Sequence, residues 1–243
     1  MNVIVVGASS HLGGAVVREL AKRGARVAGT FLRGEERVAA LGKEISGFAA
    51  RRLDLLDAAA IEPTVTELAT ELGGADAIVH CATVVSAAAE AEKYDSIEDV
   101  DPTGFARMFA INVTSGLMCA RAFSRAKGSR EGARNLVLVG SIDGAKAVPT
   151  VVSYATSKGA VVAMGRSLAK ELAQRGVLVN VVAPGVLESG ITSIVPEAIK
   201  KEYLKHCGQK RFGTHAEVAR TIAWLALENT YVTGQTMVLD GGL

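Results

Sequence analysis

Short β-branched runs alternate with amphipathic stretches along the whole chain, and this alternation restricts the possible folds more than any other feature of the sequence. Runs at residues 3–6, 26–31, 48–53, 77–80, 135–140, 177–182 and 236–239 have the length and composition of strands. They are almost continuously apolar, which predicts strands covered on both faces. Stretches at residues 14–23, 58–72, 105–126, 154–175 and 216–227 read as helices long enough to cross between parallel neighbours. The expected architecture is a doubly wound α/β sandwich, a seven-stranded, mostly parallel sheet with helices on both faces. Residues 83–103 and 186–209 break the alternation, and each follows the carboxyl end of a strand, where open α/β sheets bind ligands. They are the expected walls of a substrate pocket.

A chain of 243 residues, 49% of them hydrophobic, can bury one large core. No low-complexity linker divides it, so one domain over residues 1–243 is expected. Twenty-seven basic against 25 acidic residues leave a net charge of +2, too small for the electrostatic footprint of a nucleic-acid binder. Cys81, Cys119 and Cys207 have no metal-ligand spacing and read as small buried hydrophobes. No metal is expected. The chain opens directly on a strand-like run and has no apolar stretch of the ~20 residues that span a bilayer, so a cytoplasmic protein with no membrane partner is expected.

Directly after the first strand stands Gly7-Ala8-Ser9-Ser10-His11-Leu12-Gly13-Gly14, followed by an amphipathic helix. Strand, glycine-rich turn and helix in this order form the context of a dinucleotide-binding fingerprint. Gly7 permits the tight turn, Gly13 or Gly14 allows close packing, and the helix N-terminus presents free N–H groups to a pyrophosphate. An acidic residue near the end of the second strand would accept from a ribose 2′-hydroxyl and repel a 2′-phosphate. Gly29-Thr30-Phe31-Leu32 contains none and Arg33 follows, which favours NADP(H) over NAD(H). A solvated Arg33 neutralised by Glu35 and Glu36 is the alternative. Asp54, followed by Leu55, is placed to accept from an adenine amino group or to cap a helix.

Ser153-Tyr154-Ala155-Thr156-Ser157-Lys158 opens a helix, and positions four apart on a helix share a face. A phenol of ordinary pKa about 10 needs help to trade protons at neutral pH. An ammonium at ~4 Å favours the phenolate by up to roughly 4 kcal/mol at an effective dielectric near 20. Ser141 ends the fifth strand, where its hydroxyl can hold a substrate carbonyl oxygen against Tyr154. Asn112 lies within a helical stretch that a polar amide ordinarily disfavours, which points to an anchored water leading to Lys158.

With these residues in view, the chain resembles the short-chain dehydrogenase/reductase family, whose fold is Rossmann-type. The resemblance rests on the Gly-rich turn, Asn112, Ser141, the Tyr154-to-Lys158 spacing and Asn180-Val181-Val182-Ala183-Pro184-Gly185, and covers essentially the whole chain. Lys210-Arg211-Phe212-Gly213-Thr214 and the closing Asp240-Gly241-Gly242 are most similar to 3-oxoacyl-(acyl carrier protein) reductases. The resemblance implies a tetrad of Asn112, Ser141, Tyr154 and Lys158, with Lys158 also bonding the nicotinamide ribose. It implies a cofactor half over about residues 1–110 and a catalytic and substrate half over about 111–243. It also implies cofactor contacts from Gly7, Ser9, Ser10, His11, Leu12, Gly13, Arg33, Asp54, Leu55, Cys81, Ala82, Thr83, Pro184, Gly185, Val186 and Ser189. Arg175 matches a carrier-protein docking position, and a solvated helix-end arginine is its plainer reading. Family members of this length are homotetramers or homodimers.

Two departures stand out. Val6 and His11 replace the family's Thr and Gly in the phosphate turn, and His80-Cys81-Ala82-Thr83 replaces Asn-Asn-Ala-Gly. A positive φ at position 11 would strain a histidine, which must contact the phosphates or face outward. The activity implied is NADPH-dependent reduction of a 3-oxoacyl thioester or similar β-carbonyl compound. A dehydrogenase of a polyol, sugar or other secondary alcohol is the alternative, and a catalytically silent cofactor-binding sensor is a third reading.

Overall fold

The computed structural model describes residues 1–85, 97–148 and 150–243. Among them the strands are β1 (Asn2–Val6), β2 (Arg26–Phe31), β3 (Ala49–Arg52), β4 (Ala77–His80), β5 (Arg134–Val139), β6 (Val177–Pro184) and β7 (Thr236–Leu239). They form one sheet in the order β3-β2-β1-β4-β5-β6-β7, with every neighbouring pair parallel. The helices are α1 (His11–Lys22), α2 (Glu35–Glu44), α3 (Ala58–Leu72), α4 (Pro102–Phe109), α5 (Ser115–Arg125), α6 (Val152–Leu172), α7 (Glu197–His206) and α8 (His215–Leu227).

The strands are apolar on both faces because both faces are covered. Ile4 and Val6 of β1, with Leu136 and Leu138 of β5, face a core shared with Ile61, Leu68, Phe123 and Val161 from α3, α5 and α6. Val3 and Val5, with Val137 and Val139, face the opposite core with Val16, Leu20 and Ile222 from α1 and α8. Each fully buried aliphatic side chain contributes about 1.5–3 kcal/mol. The chain moves outward from β1 to β3, then returns to place β4 on the other side of β1. That reversal opens a crevice beyond the carboxyl ends of β1 and β4.

Three local features position what lies there. Gly7 leaves β1 at φ +86°, and a Cβ on it would sit 2.8 Å from the Ala82 backbone nitrogen. A Cβ on Gly13 would lie 2.1 Å from the Gly7 carbonyl oxygen, so α1 packs directly onto the turn. Ser10 caps α1, its hydroxyl accepting from the Gly13 N–H at 2.9 Å. His11 is the first residue of α1, and among the described residues Lys210 is the non-glycine at positive φ, so the strain anticipated at His11 does not arise.

The helix expected over residues 105–126 is interrupted by a π-helical turn, Ala110–Thr114, between α4 and α5. Two elements were not expected. Helix α2 buries only Val38 and Leu41, a stripe too narrow to register as a helical period. Helix α7 lies inside the stretch at residues 186–209 expected to be irregular. Of the other irregular stretch, residues 86–96 lie outside the described residues.

Candidate active site

Tyr154 and Lys158 stand one turn apart near the start of α6, both buried. Opposite them, β5 ends and the chain enters a 3₁₀ turn, Ile142–Gly144, that carries Ser141 and Asp143 to the same corner. Gly144 makes this approach possible, since a Cβ there would meet the Lys158 carbonyl carbon at 2.3 Å. Lys158 Nζ donates to the Val139 carbonyl at 2.9 Å and lies 5.7 Å from the centre of the Tyr154 ring. The Ser141 hydroxyl donates to Asp143 Oδ2 and accepts from the Asp143 N–H at 3.3 Å.

Asn112 lies in the π-helical turn, 2% exposed. Its Oδ1 accepts from the Val84 N–H at 2.8 Å and the Thr83 hydroxyl at 3.2 Å. Its Nδ2 donates to the Val84 carbonyl at 2.8 Å and Ser157 Oγ at 3.0 Å. Both amide protons and both acceptor sites are thereby taken by protein groups. The water expected on this side chain has no atom left to hold it; the amide instead fastens the exit of β4 to α6. His80, also buried, meets Ser115 Oγ at 2.7 Å, and that hydroxyl donates to the Ile111 carbonyl at 2.5 Å. The histidine is therefore the donor, and it ties β4 to the same π turn.

Burial dominates the electrostatics. It lowers the Lys158 ammonium to about 8, against the opposing pull of Asp143 and Cys81. It lowers His80 to about 4, with the Lys158 charge adding to the effect, and raises the Cys81 thiol to about 12. Burial also pushes the Tyr154 phenol above its ordinary value and Asp143 pushes the same way, while Ser141 and Thr83 pull it back. The net direction is opposite to the acidification expected from Lys158, which gives one of its three ammonium protons to the Val139 carbonyl.

A cavity of about 980 Å³ joins this corner to the turn after β1. Of the residues singled out in the sequence, Ser10, His11, Leu12, Cys81, Thr83, Ser141, Tyr154, Lys158, Pro184, Gly185, Val186 and Ser189 line it. Gly7, Ser9, Gly13 and Ala82 shape the turn behind it. Arg33, Asp54 and Leu55 do not line it: Arg33 is exposed, Asp54 accepts from the Leu56 N–H at 3.0 Å, and Leu55 packs against the core. Arg37, Asp143 and His215 do line it and were not foreseen. Arg37 was within reach of sequence reasoning, being one helical turn beyond Arg33. The His11 and His215 rings stack with centres 5.8 Å apart, and His215 Nδ1 lies 3.4 Å from Glu188 Oε1.

A family model described as enoyl-(acyl carrier protein) reductase matches residues 7–243. The chain belongs to the short-chain dehydrogenase/reductase family. It is an NAD(P)(H)-dependent oxidoreductase acting on CH–OH and C=O groups. It is 30% identical to the 3-oxoacyl-(acyl carrier protein) reductase MabA of Mycobacterium bovis over all of this chain and 92% of that one. A dehydrogenase/reductase from Sinorhizobium meliloti superposes with a TM-score of 0.88 at 29% identity, covering 99% of this chain and 94% of the other. BdcA, solved in complex with NADPH, superposes at 0.86 with 26% identity over 100% and 93% of the two chains. A nicotinamide dinucleotide fits the residues present: the glycine cradle at Gly7 and Gly13 has no room for a side chain, and the helix start beside it opens onto the cavity that holds Tyr154 and Lys158. Among the described residues no helix is long and apolar enough to cross a membrane.

Proposed function

We propose that this short-chain dehydrogenase/reductase is an NADPH-dependent ketoreductase in which Tyr154 gives the proton to the carbonyl oxygen. The observation that carries the reading is the single cavity shared by the Ser10-His11-Leu12 turn and the Ser141–Tyr154–Lys158 corner. The dinucleotide, when bound, supplies the hydride received by the carbonyl carbon. Burial keeps Tyr154 a neutral phenol, the form needed in a proton donor. Lys158 stays charged up to about pH 8, where its ammonium stabilises the phenolate formed as the proton leaves and can bond the ribose hydroxyls. Asn112 fixes the β4 exit against α6, so Thr83 and Tyr154 keep their spacing.

The preference for NADPH is supported by the absence of an acidic residue at Gly29-Thr30-Phe31-Leu32 and by Arg37 in the cavity wall. Relatives named as 3-oxoacyl-(acyl carrier protein) reductases support a β-carbonyl thioester as substrate; Arg175 as a carrier-docking residue and a homotetrameric or homodimeric assembly complete this reading by family resemblance alone. The carboxylate of Asp143 beside Ser141 favours a second reading, a hydroxylated secondary alcohol or ketone. Purified protein should oxidise NADPH faster than NADH over a panel of free and thioester-linked β-carbonyl compounds and hydroxyketones. Cofactor binding without turnover of any of them identifies a silent sensor and overturns the reading.

A further inference from the structure

Ser141 Oγ has one proton and two lone pairs. Its proton goes to Asp143 Oδ2, and one lone pair faces the Asp143 N–H. A plain ketone oxygen is only an acceptor, so the donor it meets here is Tyr154, whose hydroxyl already bonds Ser141 and Thr83, with a carboxylate beside it. Ser141 can turn its proton to that oxygen only when Asp143 finds another donor. The lining of the cavity next to this corner is largely apolar, with Val85, Ala147, Val148 and Val186. A substrate that brings its own hydroxyl to this corner supplies that replacement directly.

We propose that Asp143 is a specificity-determining residue that selects substrates carrying a hydroxyl on the carbon next to the reacting one: 2-hydroxyketones and vicinal diols. In a gauche vicinal pair the two oxygens lie within a hydrogen-bond span of each other, matching the adjacency of Ser141 Oγ and Asp143 Oδ2. The substrate hydroxyl donates to Asp143, the Ser141 proton turns to the carbonyl oxygen, and that oxygen then has two donors, Ser141 and Tyr154. An ammonium in place of the hydroxyl would stand beside the Lys158 charge, which is close enough to feel Asp143, so a neutral donor is preferred. The proposal rests on the reading of Tyr154 as proton donor, and it takes the second of the two substrate classes above.

The test is a matched-pair assay with NADPH: 2-hydroxycyclohexanone against cyclohexanone, and 1-hydroxy-2-pentanone against 2-pentanone. Wild-type protein should prefer the hydroxylated member of each pair by about tenfold or more in kcat/KM. In Asp143→Ala the preference should fall to about twofold or less, with NADPH affinity, read by fluorescence titration, unchanged. Asp143→Asn keeps an acceptor without the charge and should fall between them, which separates recognition from a folding defect. Tyr154→Phe should abolish turnover of all four compounds. Equal rates within each wild-type pair, no turnover of either pair, or a preference that survives Asp143→Ala overturns the proposal while leaving the role of Tyr154 standing. Turnover that survives Tyr154→Phe overturns the reading beneath it.

Discussion

Tyr154 is protected from ionising by burial and by the neighbouring Asp143, which suits the proposed proton donor and calls for a cation beside it once the proton has gone. Two outcomes follow at this scale. Tyr154→Phe should lower kcat by about 10²-fold or more while dinucleotide affinity, measured by fluorescence titration, stays within about twofold. The pH profile of kcat/KM for ketone reduction should be flat below about 8 and fall above it, because that is where Lys158 loses its charge. A profile level to pH 10 would show that the ammonium is not needed. That Tyr154, Lys158 and Ser141 face one cavity was legible in the sequence, because a four-residue spacing and a strand end fix where such side chains point. The sign of the tyrosine shift was not, because burial and the carboxylate two residues beyond Ser141 act through space. Asp143 has no motif of its own.

At the scale of elements, the π-helical turn Ala110–Thr114 joins sheet and active site. It carries Asn112 to Val84 and Ser157, and it precedes Ser115, which His80 holds. Truncating the amide removes the partners of the part-buried Val84 N–H and carbonyl, so Asn112→Ala should cost about 1–3 kcal/mol of unfolding free energy by urea titration. His80 adds a pH-dependent part. Its imidazole is held near 4 in the folded chain against about 6.5 when unfolded, so the unfolded state binds the extra proton between those values. Stability is therefore full above pH about 6.5 and falls as the pH drops toward 4. The variant His80→Asn, which can still donate to Ser115, should flatten the melting-temperature profile over that window. The seven strands were legible because parallel strands covered on both faces are continuously apolar. The π turn was not, since its cause is the bonding of one amide to a distant backbone. Helix α2 was missed because Val38 and Leu41 alone cover its inner face.

Across the whole molecule, the reversal of strand order at β1 and β4 places the cofactor turn and the catalytic corner along one cavity of about 980 Å³. That layout was legible, because strands alternating with helices have few ways to connect. Arg37, one helical turn beyond the Arg33 singled out in the sequence, is a basic residue of the cavity wall. Gly34, at φ +77°, turns the chain into α2, and the Arg37 guanidinium folds back over it: a Cβ on Gly34 would sit 2.8 Å from Arg37 Nε. Arg37, itself half exposed and 3.7 Å from Glu36 Oε1, thereby joins Ser10, His11 and Leu12 in the cavity wall, while Arg33 does not line it. On the proposed NADPH preference, a guanidinium there would pair with a 2′-phosphate and have nothing comparable to gain from a 2′-hydroxyl. Steady-state kinetics should therefore show the KM for NADPH rising about tenfold in Arg37→Ala, the worth of one partly exposed charge-assisted contact, with the KM for NADH unchanged. Arg33→Ala should move neither by more than about twofold. If the two variants trade places, the cofactor lies along the outer face of the turn at Arg33 and the cavity wall at Arg37 plays no part in choosing it.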